Sequence, residues 1–303
     1  MSSVVTLPEF VSMDRPKVHW LVPGLLPKPG IVILLGAPKV GKSFLALQIA
    51  MQLAGGVSIL GHPPTVPCRV LYIQLDTSEL VWRDRLMQLQ QQGHTLPSNI
   101  FMAHPDILKP PAVITQPEVR DCLRQVLADS APDLVVIDVF RKLHQHDEND
   151  STAMKIINDH LAAIFGAYSV LMLHHTKKSS NPEGDAETEV ILGSRGSTEI
   201  SGNADAIWKL NRNSLHIVSR FAEFSTHQAQ RTPGGFWHFG QPSPTESPDP
   251  DTRQEVVAAL LKDHPQVPLL QVYRLNAEML TAAGIGKTTF YRLASLYTVE
   301  SDA

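Results

Sequence analysis

The chain has 303 residues, enough for one large α/β domain with a small additional unit. Hydrophobic residues make up 43% of the chain and charged residues 18%, which excludes an intrinsically disordered protein. The net charge of -4 excludes nucleic-acid binding through a general positive field, so any such contact has to come from local basic patches.

The first 30 residues are rich in proline and are predicted to form an irregular N-terminal arm. From residue 31 onward, apolar runs alternate with helical patterns, which predicts parallel strands joined by right-handed crossovers in a doubly wound α/β fold. The predicted strands are Ile31–Leu35, Val70–Leu75, Leu134–Ile137 and Ser169–Leu173. The predicted helices are Lys42–Ala54, Leu80–Gln92, Val119–Leu127 and Ala153–Phe165.

Shorter strands follow residue 193, and turn residues separate them, which predicts antiparallel hairpins at one edge of the sheet. These strands are Ala206–Leu210, Leu215–Ser219, Phe221–Phe224 and Phe236–Phe239. The main domain therefore covers residues 31–240. A segment rich in proline and serine at 241–251 is predicted to be a linker.

Residues 252–303 are predicted to form a small helical domain. Its predicted helices are Thr252–Leu261, Val272–Ala283 and Lys287–Leu296. Gly284 ends the second helix, and two helices joined by a short turn with glycine predict a helix-turn-helix. A packing or oligomerisation unit is the open alternative, because small helical units serve both purposes.

A glycine-containing loop follows the first predicted strand and opens the first predicted helix. It reads Gly36-Ala37-Pro38-Lys39-Val40-Gly41-Lys42-Ser43, which is the spacing of a phosphate-binding loop. In such a loop the backbone N–H groups surround a polyphosphate, Lys42 reaches the β- and γ-phosphates, and Ser43 can bind Mg²⁺. The loop and the next residue, Phe44, are therefore predicted to bind ATP.

Two aspartates follow predicted strands. Asp138 ends the strand Leu134–Ile137, an arrangement that holds Mg²⁺ opposite a phosphate-binding loop, with the capping of a turn as the alternative. Asp76 follows the strand Val70–Leu75, and we expect that strand to lie next to the one before the loop. Asp76 is predicted to orient the attacking water, and the alternative is that it caps the following helix.

His174 and His175 follow the strand Ser169–Leu173. Polar residues at the carboxyl end of a parallel strand lie where ligands bind, so either imidazole is a candidate sensor of the γ-phosphate. Zinc binding is disfavoured, because no cysteine or further histidine lies at a suitable spacing. A buried structural role for His174 stays open.

Cysteine usage and the N-terminus favour a cytoplasmic protein. Cys68 and Cys122 are far apart and not in a CxxC spacing, so neither a disulfide framework nor a structural zinc site is expected. The first residues lack the pattern of a signal peptide, and the run Ile31–Leu35 is too short to span a bilayer. No membrane partner is expected.

Together the motifs resemble those of the RecA-like ATPases typified by plasmid RepA replicative helicases. The resemblance covers about residues 20–240. It rests on the phosphate-binding loop, Asp76, Asp138-Val-Phe-Arg-Lys-Leu-His144, Leu173-His-His-Thr-Lys177 and Gly193-Ser-Arg-Gly-Ser197.

This resemblance implies a RecA-like fold and a homo-oligomeric ring, usually a hexamer, with ATP held between subunits. It implies that Lys42 and Ser43 bind the nucleotide, that Ser43 and Asp138 hold Mg²⁺, and that Asp76 orients water. His174 or His175 would be the phosphate sensor. RepA-type rings also place an arginine finger shortly after the Ser-Arg-Gly segment and near a tryptophan, but the segment 203–209 offers no arginine before Trp208. Lys209 or Arg220 is the candidate cation supplied to a neighbouring subunit.

Basic residues near the predicted strand ends are candidates for contact with single-stranded DNA in the channel of a ring. These are Arg141, Lys142, Lys177, Lys178 and Arg195. In the predicted helix-turn-helix, Lys287, Thr288 and Arg292 are candidates for contact with duplex DNA. Ordinary solvated charges are the alternative.

Three functions follow from these patterns. The first is an ATP-hydrolysing, ring-forming helicase or translocase in the replication of a mobile element. The second is an ATP-switched DNA-binding regulator or loader without unwinding activity. The third, a small-molecule kinase, would need an arginine-rich lid and a substrate pocket, and the sequence shows neither clearly.

Overall fold

The computed structural model describes most of the chain. The described residues are 4–13, 19–103, 108, 112–176, 202–243, 250–264, 267–276, 279–280, 285, 290–291 and 293–294. In these ranges no helix is both long enough and apolar enough to cross a bilayer.

The described chain contains eleven strands. They are β1 His19–Val22, β2 Leu26–Lys28, β3 Gly30–Gly36, β4 Val70–Gln74, β5 Ile100–Ala103, β6 Leu134–Asp138, β7 Ser169–His175, β8 Ala206–Leu210, β9 Ser214–Ser219, β10 Ser225–Arg231 and β11 Trp237–Ser243. Its α-helices include α1 Leu7–Ser12, α2 Lys42–Ala54, α3 Glu79–Gln91, α4 Pro117–Ser130, α5 Ser151–Phe165, α6 Pro250–Asp263 and α7 Leu269–Leu275. A 3₁₀ helix spans Phe140–Leu143.

Nine strands form one sheet in the order β11-β10-β9-β8-β3-β7-β6-β4-β5, and β1 and β2 form a separate antiparallel pair. The strands from β8 to β5 are parallel, whereas β8, β9, β10 and β11 follow one another as antiparallel neighbours. This arrangement fits the predicted RecA-like doubly wound sheet with antiparallel edge strands. It places the carboxyl ends of β3, β7, β6 and β4 along one edge, where ligands bind in such sheets.

Successive side chains of each strand point to opposite faces of the sheet. Helices pack against both faces, so the domain has two apolar cores. Leu34 of β3 packs in one core together with Leu47 and Leu53 of α2. Ile33 packs in the other core, which includes Leu161 of α5. The inner parallel strands β3, β4, β6 and β7 are buried on both faces, which explains the continuous apolar runs in their sequences.

Most elements of the main domain lie within a few residues of their predicted bounds. Two predictions were wrong, however, and one strand was not predicted. The arm at 1–30 is not irregular, since it contains α1, β1 and β2. The segment Phe221–Phe224 is not a strand; the strand is β10, which begins at Ser225. Strand β5 at Ile100–Ala103 was missed.

The reasons are physical. The sequence of β10, Ser-Thr-His-Gln-Ala-Gln-Arg, is almost entirely polar, because only His227 and Ala229 are buried. β5 has four residues and lies at the edge of the sheet, so it shows no long apolar run. The predicted linker at 241–251 also has different bounds, since β11 continues to Ser243 and α6 begins at Pro250.

The C-terminal residues have an apolar core of their own. Helix α6 contains the predicted helix Thr252–Leu261. Helix α7 ends at Leu275, so the predicted helix Val272–Ala283 has the wrong bounds. The shared core includes Val257, Leu260, Val272, Leu280, Ile285, Phe290 and Leu293. The helix-turn-helix stays a prediction, and its candidate contacts Lys287, Thr288 and Arg292 lie outside the described residues.

Candidate nucleotide-binding site

The glycine-containing loop connects the end of β3 to the start of α2. Gly41 has a φ of 109°, a left-handed backbone value that residues with a Cβ rarely adopt. A Cβ at this position would also lie 3.0 Å from the ring of Trp237. No side chain caps α2 at Gly41. The first-turn N–H groups of α2 therefore point toward the cleft above the loop, as in an anion-binding helix N-terminus.

Lys42 lies folded back on its own loop. Its Nζ donates hydrogen bonds to the carbonyl oxygens of Gly36 at 2.8 Å and Ala37 at 3.0 Å, and lies 3.0 Å from Nδ1 of His175. Burial lowers the pKa of Lys42 to about 8, although the charges of Asp138 and Asp76 oppose the shift. The two carbonyl oxygens are neutral partners of the Lys42 ammonium group, and so is the ring of His175 when it is unprotonated. An anionic phosphate would therefore be a stronger partner for Lys42.

Asp138 ends β6 and lies beside Ser43. Oγ of Ser43 donates a hydrogen bond to Oδ1 of Asp138 at 3.1 Å, and the hydroxyl of Tyr72 donates to Oδ2 at 2.8 Å. Burial raises the pKa of Asp138, while the hydrogen bonds from Ser43 and Tyr72 act in the opposite direction. The carboxyl group is thus fixed at both oxygens and faces the start of α2.

The pair Ser43 and Asp138 fits Mg²⁺, because hydroxyl and carboxylate oxygens are the hard ligands this ion takes in nucleotide sites. No group of three histidine, cysteine, aspartate or glutamate side chains in the described ranges could hold a metal ion. With one hydroxyl and one carboxylate from the protein, the donor set at the loop suits a phosphate-bound metal that brings most of its own ligands.

A cleft of about 240 Å³ opens above the loop. Its lining residues are Lys39, Gly41, Lys42, Ser43, Phe44, Asp76, Arg85, Asp138, Val139, His175 and Arg231. The loop, the pair Ser43 and Asp138, Asp76 and His175 thus line the same cleft, and their roles there stay predictions.

Asp76 reaches this cleft from a different strand position than expected. The prediction that its strand lies next to β3 was wrong, because β7 and β6 lie between β3 and β4. Asp76 still lines the cleft, since the carboxyl ends of all these strands share one edge. Its side chain is 48% exposed, and its Oδ1 lies 3.4 Å from Nζ of Lys142.

The two histidines of β7 face opposite sides of the sheet. His175 lines the cleft beside Lys42, and burial, together with the charge of Lys42, lowers the pKa of His175. His174 is buried on the other face, where its Nε2 lies 3.6 Å from Oε2 of Glu148. Burial lowers the pKa of His174 to about 4. Of the two candidate sensors, only His175 lies at the cleft.

Sequence reasoning missed two arginines of the cleft. The guanidinium carbons of Arg85 in α3 and Arg231 in β10 lie 4.2 Å and 4.6 Å from the centroid of the Phe44 ring. Nη1 of Arg85 is buried and has no hydrogen-bond partner among the described residues, and burial lowers the pKa of Arg85. Two cations so close together repel each other and would be stabilised by an anionic ligand.

Only one of these arginines left a signal in the sequence. Arg85 lies three residues after the buried Trp82, so helical spacing could have placed both residues on the inner side of α3. The guanidinium of Arg85 does lie over the Trp82 ring, at 4.7 Å. No local pattern brings β10 to the cleft, because that contact depends on the tertiary course of the edge strands.

The two candidates for a cation supplied to a neighbour lie apart from this cleft. Lys209 lies in β8 and is only 7% exposed in the single chain, and its role at another subunit stays a prediction. Arg220 is exposed and lies 3.7 Å from Asp205, whose side chain accepts a hydrogen bond from the N–H of Ile31. This is the end of β3 opposite Gly36, so Arg220 stays a candidate only for the site of another subunit.

Two of the candidate nucleic-acid contacts lie in the part of the chain that the structure describes. Arg141 and Lys142 lie in the 3₁₀ helix that follows Asp138, and their side chains are 46% and 54% exposed. Lys177, Lys178 and Arg195 lie outside the described residues.

A phosphate-binding loop between a buried strand and a helix, with a buried carboxylate on a nearby strand end, defines the P-loop ATPase class of site. A family model described as an AAA domain matches residues 5–181, more than half of the chain. The chain therefore belongs to that family.

Among solved structures, the chain is similar to a KaiC-like protein, PH0186, from the hyperthermophilic archaeon Pyrococcus horikoshii OT3. The identity is 10% and the TM-score 0.47, over 73% of this chain and 93% of that one. The assignment of the fold rests on the strand order rather than on this likeness.

Proposed function

We propose that the protein binds ATP with Mg²⁺ in the cleft above Gly36–Ser43 and hydrolyses it. The observation that carries this proposal is the convergence of Lys42, Ser43, Asp76 and Asp138 on a single cleft of about 240 Å³. A cation, a pair of metal ligands and a second carboxylate are the groups that P-loop hydrolysis requires.

Each of these residues has a definite task in the proposed reaction. Lys42 leaves its loop carbonyls and binds the terminal phosphates, where its charge offsets the negative charge that develops in the transition state. Asp76 accepts a hydrogen bond from the attacking water and orients it toward the γ-phosphate. Ser43 and Asp138 would hold Mg²⁺, which when bound would neutralise charge on the phosphate oxygens.

Arg85 and Arg231 add positive charge from within the same chain. Both guanidinium groups flank Phe44 beside the loop. We expect both to contact the nucleotide. Nη1 of Arg85 is buried without a hydrogen-bond partner among the described residues, so it gains most from a charged acceptor, whereas Arg231 is exposed and its Nε donates to the carbonyl oxygen of Gly235. Part of the charge that a neighbouring subunit supplies in related rings is thus available in this chain.

We infer further that the protein couples hydrolysis to single-stranded DNA as a ring-forming helicase or translocase, a hexamer being favoured, in the replication of a mobile element. Two features support this proposal. The motifs resemble those of RepA-type helicases, and Arg141 and Lys142 present exposed charge next to the cleft. Contact of the C-terminal unit with duplex DNA belongs to the same proposal.

One observation favours the second candidate, an ATP-switched DNA-binding regulator or loader without unwinding activity. Related rings place their arginine finger near a tryptophan. In this chain Lys209 follows that tryptophan, and Lys209 is buried. Without a finger from its neighbour a subunit hydrolyses slowly, which suits a switch better than a motor, and Arg220 is the exposed candidate that remains for this role.

The rate of ATP hydrolysis with and without single-stranded DNA, combined with the native mass, separates these candidates. A DNA-stimulated hexamer that also separates a forked duplex supports the helicase. A DNA-stimulated protein that fails to unwind supports the regulator or loader. An absence of hydrolysis under both conditions would contradict the whole proposal.

A further inference from the structure

The ion pair between Asp76 and Lys142 joins two residues for which the sequence predicts separate roles. Asp76 is the proposed water-orienting carboxylate, and Lys142 is a proposed phosphate contact of DNA. Nζ of Lys142 lies 3.4 Å from Oδ1 of Asp76, and both side chains are about half exposed. The catalytic group and the DNA-binding group are therefore direct partners in the structure.

We propose that Lys142 is a positioning residue that holds Asp76 out of its catalytic orientation until a phosphodiester backbone binds Lys142. This inference rests on the proposed function, since it assigns the regulation of the same hydrolytic site. The ligand class is a single-stranded polyanion with repeated phosphodiester groups. Its binding would release Asp76 and raise the rate of ATP hydrolysis.

The pairing restrains Asp76 through its geometry. The ammonium group of Lys142 at Oδ1 occupies an oxygen that would otherwise accept a hydrogen bond from water. The N–H of Asp76 donates to Oε1 of the buried Gln74 at 2.9 Å, so the backbone is fixed and the side chain is the part that can turn.

The exchange of partners is energetically easy. An ion pair between exposed side chains contributes little to stability because both charges stay hydrated. A phosphodiester backbone offers Lys142 several anions at once and gains from the release of its own counterions. Lys142 also has a flexible stem and a compact charge, which suits movement between two partners.

The neighbouring cation is not arranged in this way. Nη1 of Arg141 donates to the carbonyl oxygen of His144 at 2.8 Å, and its Nε lies 3.8 Å from Glu148. Arg141 is thus anchored within its own segment, whereas the ion pair of Lys142 connects that segment to the cleft. The structure therefore assigns the coupling to Lys142.

The test measures the hydrolysis of ATP by the full chain without DNA. Lys142→Ala should raise this basal rate, by up to about fivefold, as expected for the loss of an exposed ion pair. Lys142→Gln should behave similarly, and Lys142→Arg should keep the low rate because it keeps the pair. Lys155→Ala, which removes an exposed lysine of α5, is the matched control.

A second measurement shows whether Lys142 acts through Asp76. In the Asp76→Asn background, Lys142→Ala should give no increase in rate, whereas a merely structural effect would persist. A saturating oligothymidylate should stimulate the wild type and stimulate Lys142→Ala less, since that variant is already released.

The proposal is overturned if folded Lys142→Ala and Lys142→Gln hydrolyse ATP no faster than the wild type without DNA. This outcome is distinguishable from failure of the proposed function. If oligothymidylate fails to stimulate the wild type, the coupling to DNA is wrong, while the comparison of basal rates, which contains no DNA, still decides the restraint on Asp76.

Discussion

The floor and the rim of the cleft differ in burial and in origin. The floor, defined here as Lys42, Tyr72 and Asp138, is almost fully buried, and hydrogen bonds hold its polar groups. The rim, defined as Asp76, Arg85, Lys142 and Arg231, is partly or largely exposed and is held by ion pairs and ring contacts. In the proposed reaction the floor holds the phosphates and the metal ion, and the rim holds Asp76 together with the cations through which ligands and partners can change the rate.

The largest expected effect concerns the floor. Lys42→Ala removes the cation that offsets charge on the transferred phosphate, so kcat should fall on the order of 10²- to 10³-fold. Steady-state phosphate release measures this loss, and a thermal melt checks that the variant is folded. Turnover at the wild-type level would place the active site elsewhere. Lys155→Ala serves as the control for loss of a lysine.

Asp138→Asn should lower the rate on the order of 10²-fold and shift the Mg²⁺ dependence to higher concentrations. The amide keeps the shape of the side chain but loses the negative charge that attracts the metal. A titration of the hydrolysis rate with Mg²⁺ measures both effects. An unchanged Mg²⁺ dependence would remove Asp138 from the metal site.

At the rim, Arg85→Ala should weaken ATP binding about tenfold, the loss expected for a charge-assisted hydrogen bond to a buried group. The guanidinium lies 4.7 Å from the Trp82 ring, so tryptophan fluorescence can follow nucleotide binding in the wild type. Isothermal titration then compares the affinities of wild type and variant. Arg124→Ala, which removes an exposed arginine of α4, is the matched control, and equal affinities for all three proteins would exclude Arg85 from the site.

The last prediction concerns stability, and no effect on the hydrolysis rate is expected from it. It involves histidines on the side of β7 that points away from the cleft. Burial lowers the pKa of His144 and of His174 to about 4, below the value near 6.5 of an unfolded chain. Both histidines are therefore neutral in the folded state. Their stabilising effect is complete above pH 6.5 and is lost as the pH falls toward 4, on the order of 1–3 kcal/mol in the free energy of unfolding.

Urea unfolding at pH 7 and pH 5 measures this loss, and His144→Gln should reduce it because the amide does not titrate. The acid-induced loss of stability would have another origin if the variant lost as much stability as the wild type.

Lys42 and Asp138 of the floor could be predicted from the sequence because local patterns specify them, whereas the contact of Tyr72 with Asp138 emerged only from the fold. Lys42 and Ser43 belong to a motif of fixed spacing, and Asp138 directly follows an apolar run that reads as a buried strand. The positions of the main strands followed from the same apolar runs. Burial on both faces leaves few residue types for such strands, so their signal is strong.

Asp76 of the rim was a predicted site residue, but the contacts of the rim could not be predicted in the same way. Arg231 lies in a strand whose sequence is polar, and its contact with Phe44 joins residues 187 positions apart along the chain. The opposite faces of His174 and His175 follow from strand alternation once β7 is known to extend to His175. The pairing of Asp76 with Lys142 depends on the neighbouring positions of β4 and β6, which only the sheet order reveals.

The most direct test of the central claim is the rate of phosphate release from ATP in the presence of Mg²⁺ and oligothymidylate, measured for the wild type and for Lys42→Ala. The account predicts hydrolysis that rises on addition of the oligonucleotide in the wild type and is nearly absent in the variant. Equal rates for the two proteins would contradict it, since the loop at Gly36–Ser43 would then have no part in the reaction.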